Sequence, residues 1–225
     1  GQVKLLALVA VALLLPQEKN EAEALFKKME EKIAKSKTFQ LKFSGELQPA
    51  KMAVTGHLLS DEGNRMRLDL EGKVEGQTHT ATMISDGKKL RFKSSDKPEP
   101  KVLDVPETFG PLSRACISRG GFFGMLDSLD NEEGLKAKAD DHFLPSAFKL
   151  GAKEKVGDRE AQAVDYRLVK ENHPETQVTI WIDTQTNLPL KRSLKMGDMS
   201  LTETYSDCKV DEKLDAAKFE LPKDK

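Results

Sequence analysis

The chain has 225 residues, a length that suits one domain or a small pair of them. Its 36 Lys and Arg stand against 37 Asp and Glu, a net charge of −1 with both signs interleaved, so no net field draws it to nucleic acid or to an anionic surface. One Trp and two Tyr leave no polar stacking platform for bases, and nucleic acid is not expected as a partner.

Val3 to Leu15 is apolar save for Lys4 and ends at Pro16, ahead of the charged Glu18 and Lys19. As a helix it would reach only about 20 Å, against a hydrocarbon core of roughly 30 Å. Residues 1–16 therefore read as a signal-peptide remnant, with a buried helix as the competing reading; export to the periplasm follows from the first. Residues 17–225 read as a single domain. In an oxidising compartment Cys116 and Cys208 could form a disulfide, worth about 4 kcal/mol by loop closure, or remain two buried thiols.

Glu21 to Lys37 has the spacing of an amphipathic helix, with Leu25, Met29 and Ile33 at four-residue steps and Phe26 beside them. The period then changes to two. Phe39, Leu41, Phe43, Gly45 and Leu47 alternate with polar residues, followed by Met52, Val54, Gly56 and Leu58, then Met66, Leu68 and Leu70. Such alternation predicts antiparallel strands with one wet face. Asp61-Glu62-Gly63-Asn64, Glu71-Gly72 and Asp86-Gly87 are the predicted turns, and Ala81–Ile84 and Leu90–Phe92 extend the meander.

Pro106 to Leu129 breaks the pattern. Phe109, Leu112 and Ala115-Cys116 have helical spacing, Gly120-Gly121 interrupts, and Phe122, Phe123, Met125, Leu126 and Leu129 follow. The prediction is two short helices around a glycine joint. Strands return at Phe148–Lys155, Ala161–Val169, Gln177–Ile182, Leu188–Leu194 and Met199–Tyr205, with turns at Gly157-Asp158, His173-Pro174, Asp183-Thr184 and Gly197-Asp198. A short turn at Leu214–Phe219 closes the chain. About ten strands without βαβ alternation predict an α+β, mainly β fold: an antiparallel sheet curled on itself.

No catalytic constellation emerges. His57, His79, His142 and His173 sit apart, without metal or triad spacing, and read as surface or turn residues. No nucleophile elbow, phosphate loop or dinucleotide fingerprint is present. Glu132-Glu133 and Asp140-Asp141 read as solvated charge flanking loops. No enzyme activity, metal or cofactor is expected. What remains is shape: a concave apolar sheet face covered by the first helix and the Phe109–Leu129 segment. If the cover packs tightly, the interior is a core; if loosely, it is a lipid-sized cavity.

Several stretches carry a resemblance. Met83-Ile84-Ser85-Asp86-Gly87-Lys88-Lys89-Leu90-Arg91-Phe92 resembles a strand–Ser-Asp-Gly–strand hairpin of the LolA-like family, the periplasmic carriers of outer-membrane lipoproteins, and of related lipoprotein-sorting proteins. Trp181-Ile182-Asp183-Thr184-Gln185-Thr186-Asn187-Leu188-Pro189 resembles the family's Ile-Asp…Leu-Pro hairpin. Leu214-Asp215-Ala216-Ala217-Lys218-Phe219 with Pro222 is similar to its C-terminal close. The resemblance implies an incomplete β-barrel lidded by helices, acting as a monomer without enzymatic activity. It also implies that acyl chains of a lipid or lipoprotein are received from, and delivered to, membrane-protein partners of the envelope. Each exposed methylene costs about 0.8 kcal/mol in water, which is why tails need shelter. The contact residues this implies are Phe39, Leu41, Phe43, Val54, Leu58, Met66, Leu68 and Leu70 on the sheet, Phe109, Leu112, Phe122, Phe123, Met125 and Leu126 on the lid, and Trp181. The family's Arg-Pro pair, whose Arg helps hold the lid, is missing: the equivalent turn is Asp61-Glu62-Gly63, and the role is not transferred to Arg65 or Arg67. Lys93-Ser94-Ser95 stands where the carriers have aromatics. The alternative is a non-enzymatic envelope sensor or protein-interaction domain on the same fold.

Overall fold

The computed structural model describes residues 20–129, 131–169 and 174–223; the apolar run 1–16 and His173 lie outside the described residues. Helix α1 (Glu21–Lys35) starts where the Asn20 side chain accepts hydrogen bonds from the backbone N–H of Ala22 at 3.1 Å and Glu23 at 3.2 Å. Glu21 and Glu23 occupy its first turn and Lys32 and Lys35 its last, the order the helix dipole favours. Its buried stripe is Ala22, Phe26, Met29 and Ile33; the expected Leu25 is only half-buried.

Eleven strands form one antiparallel sheet among the described residues. The first meander comprises β1 (Phe39–Gln48), β2 (Met52–Asp61), β3 (Arg65–Val74), β4 (Gln77–Asp86), β5 (Lys89–Ser94) and β6 (Lys97–Asp104). The second comprises β7 (Leu144–Val156), β8 (Arg159–Val169), β9 (Thr176–Asp183), β10 (Pro189–Met196) and β11 (Met199–Val210). They join where β1 pairs with β11, Phe43 opposite Tyr205 and Leu47 opposite Leu201. The sheet order ends at β6 and β7, so the barrel is not closed. This is the mainly β antiparallel sheet that the alternation predicts, and the incomplete barrel that the resemblance implies.

Two details differ. β6 was not expected, because its Pro98 and Pro100 demote a strand reading; at a sheet edge a proline's missing N–H costs no ladder bond. Glu71-Gly72 is not a turn: β3 runs on to Val74, with Gly72 paired between Val54 and His79. The reversal falls at Glu75 and Gly76, where φ is 50° and 81°.

Between the meanders lies α2 (Phe109–Ser128), broken at Gly121 with φ 70° and ψ −162°, so the two helices around a glycine joint are present. Two single-turn helices follow, α3 (Glu132–Lys136) and α4 (Ala139–His142). The acidic pairs expected to flank loops instead occupy the first turns of these helices, where carboxylates face the free N–H groups. A 3-10 turn, Ala216–Phe219, packs on β3 and β4 with Phe219 buried.

Candidate functional site

Most residues expected to line a cavity are buried in the hydrophobic core. Phe39, Leu41, Phe43, Val54, Leu58, Met66 and Leu68 are buried against α1 and α2, together with Phe109, Leu112, Phe122 and Met125. Leu70 and Leu126 pack at its margin. Phe43 stacks on Phe122 with ring centroids 4.1 Å apart, and Phe26 meets Tyr166 at 4.8 Å. The physical reason is the cover: the Phe26, Met29 and Ile33 stripe of α1 and the buried residues of α2 pack into one cluster with the sheet's first half.

Trp181 is also misplaced by the sequence reading. Ile180 and Ile182 are wholly buried, so alternation turns Trp181 to the outer face, where its indole N–H donates to Glu154 and Lys191 Nζ lies 4.5 Å from the ring centroid. His142, expected at the surface, is buried, with Nε2 2.9 Å from the Gly134 carbonyl oxygen. Cys116, buried in α2, and Cys208, half-buried on β11, are not joined in a disulfide.

An apolar hollow does exist, displaced to the second half of the barrel. Its volume is about 380 Å³, at the small end of the range for ligand pockets. One wall is the lid, with Gly120, Phe123 and Gly124; Phe123 is the expected contact residue that lines it. The other walls are the strand ends, with Leu47 of β1, Leu168 of β8, Leu194 and Met196 of β10, and Leu201 of β11. Met199 stands at the rim and is 43% exposed. Thr176 and Ser200 are its polar lining residues, and no charged side chain lines it among the described residues. Glycine makes this wall flat: a Cβ on Gly124 would sit 3.1 Å from Phe143 Cζ, and one on Gly120 would sit 3.3 Å from Phe143 Cε2.

Beneath the hollow, a buried charge cluster fastens the lid. Breaking α2 at Gly121 creates a helix C-terminus before it and an N-terminus after it, each with unsatisfied backbone groups. Arg192 on β10 donates through Nη1 to the Ile117 carbonyl at 3.0 Å and through Nη2 to the Ser118 carbonyl at 2.6 Å. Glu203 on β11 accepts from the N–H of Phe122 at 3.0 Å and of Phe123 at 3.3 Å. Positive charge thus meets the negative end of one segment and negative charge the positive end of the next. Tyr205 donates to Glu203, receives a hydrogen bond from Arg192, and has its pKa driven well above the usual phenol range, chiefly by burial. Tyr166 donates to the Arg119 carbonyl at 2.6 Å.

Two further arginines tie the lid to α1. Arg114 donates to the carbonyls of Ile33 and Lys37 at 3.3 and 3.0 Å and to Ser60 Oγ at 3.1 Å, closing the C-terminal end of α1. Arg119 pairs with Glu30 at 2.6 Å and Asp140 at 2.5 Å. The lid is therefore tied to α1 by arginines of the lid itself. The strand phase carries the signal for Arg192 and Glu203: Arg192 shares the inward phase with Leu194, and Glu203 lies between inward-facing Leu201 and Tyr205. A charged residue in such a phase must be paired.

No group of three or more His, Cys, Asp or Glu side chains that could hold a metal occurs among the described residues. No helix among them is long and apolar enough to cross a membrane.

Neither a protein-family model nor a curated protein matches the chain. Solved structures do. The Mycobacterium tuberculosis lipoprotein LppX is similar at a TM-score of 0.50 and 10% identity, over 87% of this chain and 98% of its own. LprF from Mycobacterium bovis is similar at 0.50 and 8%, over 84% and 92%. The LolA superfamily protein NE2245 from Nitrosomonas europaea is similar at 0.36 and 13%, over 89% and 97%. The chain shares the fold of LppX and LprF, an open antiparallel half-barrel under a helical lid.

Proposed function

We propose that this protein is a non-enzymatic lipid binder of the bacterial envelope, sheltering hydrocarbon between the lid and the strand ends of β8 to β11 and moving it towards the outer membrane. The observation that carries this reading is the 380 Å³ hollow, lined by Leu, Met and Phe with no charged side chain and reached past an exposed Met199. A solvated hollow of that composition is unfavourable, and filling it with methylenes recovers about 0.8 kcal/mol each. Cargo in this reading is the tail of a lipid or lipoprotein, and donor and receptor are membrane proteins of the envelope. The test is extraction of freshly purified protein followed by mass spectrometry. Lipid recovered in stoichiometric amount is the expected result; a lipid-free protein that also fails to take up added lipid contradicts the proposal. The filled first half of the barrel favours a second reading, a protein-interaction domain on the same fold, and a lipid-free protein that captures an envelope partner would support it.

A further inference from the structure

The hollow is narrow enough to restrict what it holds. Its floor is the next inward-facing layer of the sheet: Arg192 follows Leu194 along β10, Glu203 follows Leu201 along β11, and Gly45 follows Leu47 along β1. Arg192 and Glu203 are 1% and 0% exposed and committed to the backbone of α2. Hydrocarbon cannot pass this layer without uncovering a buried ion pair in an apolar setting. Behind Gly45 the way is shut by the Phe43–Phe122 stack.

Depth then gives the measure, and volume agrees with it. From Met196 at the rim to Arg192 at the floor the strand advances about 13 Å, at ~3.3 Å per residue. An extended hydrocarbon advances about 1.3 Å per carbon, given a C–C bond of ~1.5 Å, so roughly ten carbons reach the floor. The volume of about 380 Å³ lies at the small end of the range for ligand pockets, as a site for one short tail would.

Resting on the lipid-binding reading above, we infer that the site takes one single-tailed amphiphile, burying about ten to twelve carbons and leaving the headgroup outside. Thr176 at the rim offers a hydroxyl, and the lining offers no charge to draw an anionic headgroup inward. Paired or triple tails have no second channel to enter.

The test is affinity across lysophosphatidylglycerols with tails of about eight to about eighteen carbons, and for the diacyl lipid with the same headgroup. Binding of one lysolipid per chain is expected to tighten about fourfold per added methylene and to level off near twelve carbons. The diacyl lipid should bind no more tightly than the lysolipid with the same tail. Met199→Trp, at an exposed rim position in the inward phase of β11, should weaken binding across the series. Affinity that climbs to the longest tail, tighter diacyl binding, or an unaltered Met199→Trp profile would overturn the inference while leaving lipid binding in place. No binding by any of these lipids would remove the lipid-binding reading itself.

Discussion

Arg192 and Glu203 face each other across β10 and β11, Nη1 to Oε2 at 3.8 Å, with both side chains buried. Each spends its hydrogen bonds on a different half of the broken lid helix, so the pair fixes the lid to the sheet and also floors the apolar hollow. Removing one member leaves a buried charge without its counterpart, which costs about 3–5 kcal/mol. Arg192→Met should therefore destabilise strongly in urea, and so should Glu203→Met. The double variant should lose less than the sum of the two, because neither charge is then stranded. Additive losses in a double-mutant cycle would show that the two residues act independently.

Gly121 is the joint that this pair requires. Its φ of 70° with ψ of −162° belongs to a region open essentially to glycine alone. An added Cβ would lie 2.3 Å from Glu203 Oε2 and 2.6 Å from Arg192 Nη1. Gly121→Ala should cost at least about 2 kcal/mol and lower Tm by roughly 4–8 °C in a thermal melt. Gly157→Ala, at a turn with φ of 63° but open space around it, serves as a control for strain alone and should cost less. Equal losses would remove the clash with the ion pair as the cause.

The thiols give a pH signature. Burial pushes Cys208 up to about 12 from an ordinary 9.0. A group whose pKa rises on folding contributes stability that is whole below its unfolded pKa and is lost as pH climbs through the folded one. The Cys208 contribution should thus decline between about pH 9 and pH 12, and Cys208→Ala should flatten that part of the stability curve. Alkylation at neutral pH should be slow in the native protein. In denaturant without reductant both Cys116 and Cys208 should label, since they are not bridged; failure to label there would establish a disulfide.

Trp181 reports on the outer face. It packs under Lys191 and donates to Glu154, away from the hollow. Lipid loading should leave its emission maximum unchanged, and Trp181→Phe should leave lipid affinity within about twofold of the parent. A blue shift on loading would return Trp181 to the cavity that the sequence reading assigned it.

Strand alternation in Phe39–Leu47 and Met66–Leu70 and the glycine interruption at 120–121 could be read directly, because each is a local periodicity or a local break. β6 was hidden by its prolines, which are tolerated only because the strand lies at an edge, a fact of topology. The position of the hollow was hidden for a different reason. Whether a concave face is covered closely or left hollow depends on the side chains opposite it: Phe26, Met29 and Ile33 pack over one half, while over the other the lid presents Phe123 beside Gly120 and Gly124, which are packed against Phe143. Trp181 was assigned with the resemblance, against its strand phase, which Ile180 and Ile182 already determine. Arg192 and Glu203 could have been found by that same phase.

In this reading hydrocarbon lodges under Phe123 at the ends of β8 to β11 and not along the face of β1 to β3. Photocrosslinking with a fatty acid carrying a diazirine in its tail, followed by peptide mapping, tests it most directly. Adducts are expected on Phe123, Leu168, Leu194 or Leu201. Adducts concentrated on Phe39, Leu41, Met66 or Leu68, or spread over the outer surface, would contradict it.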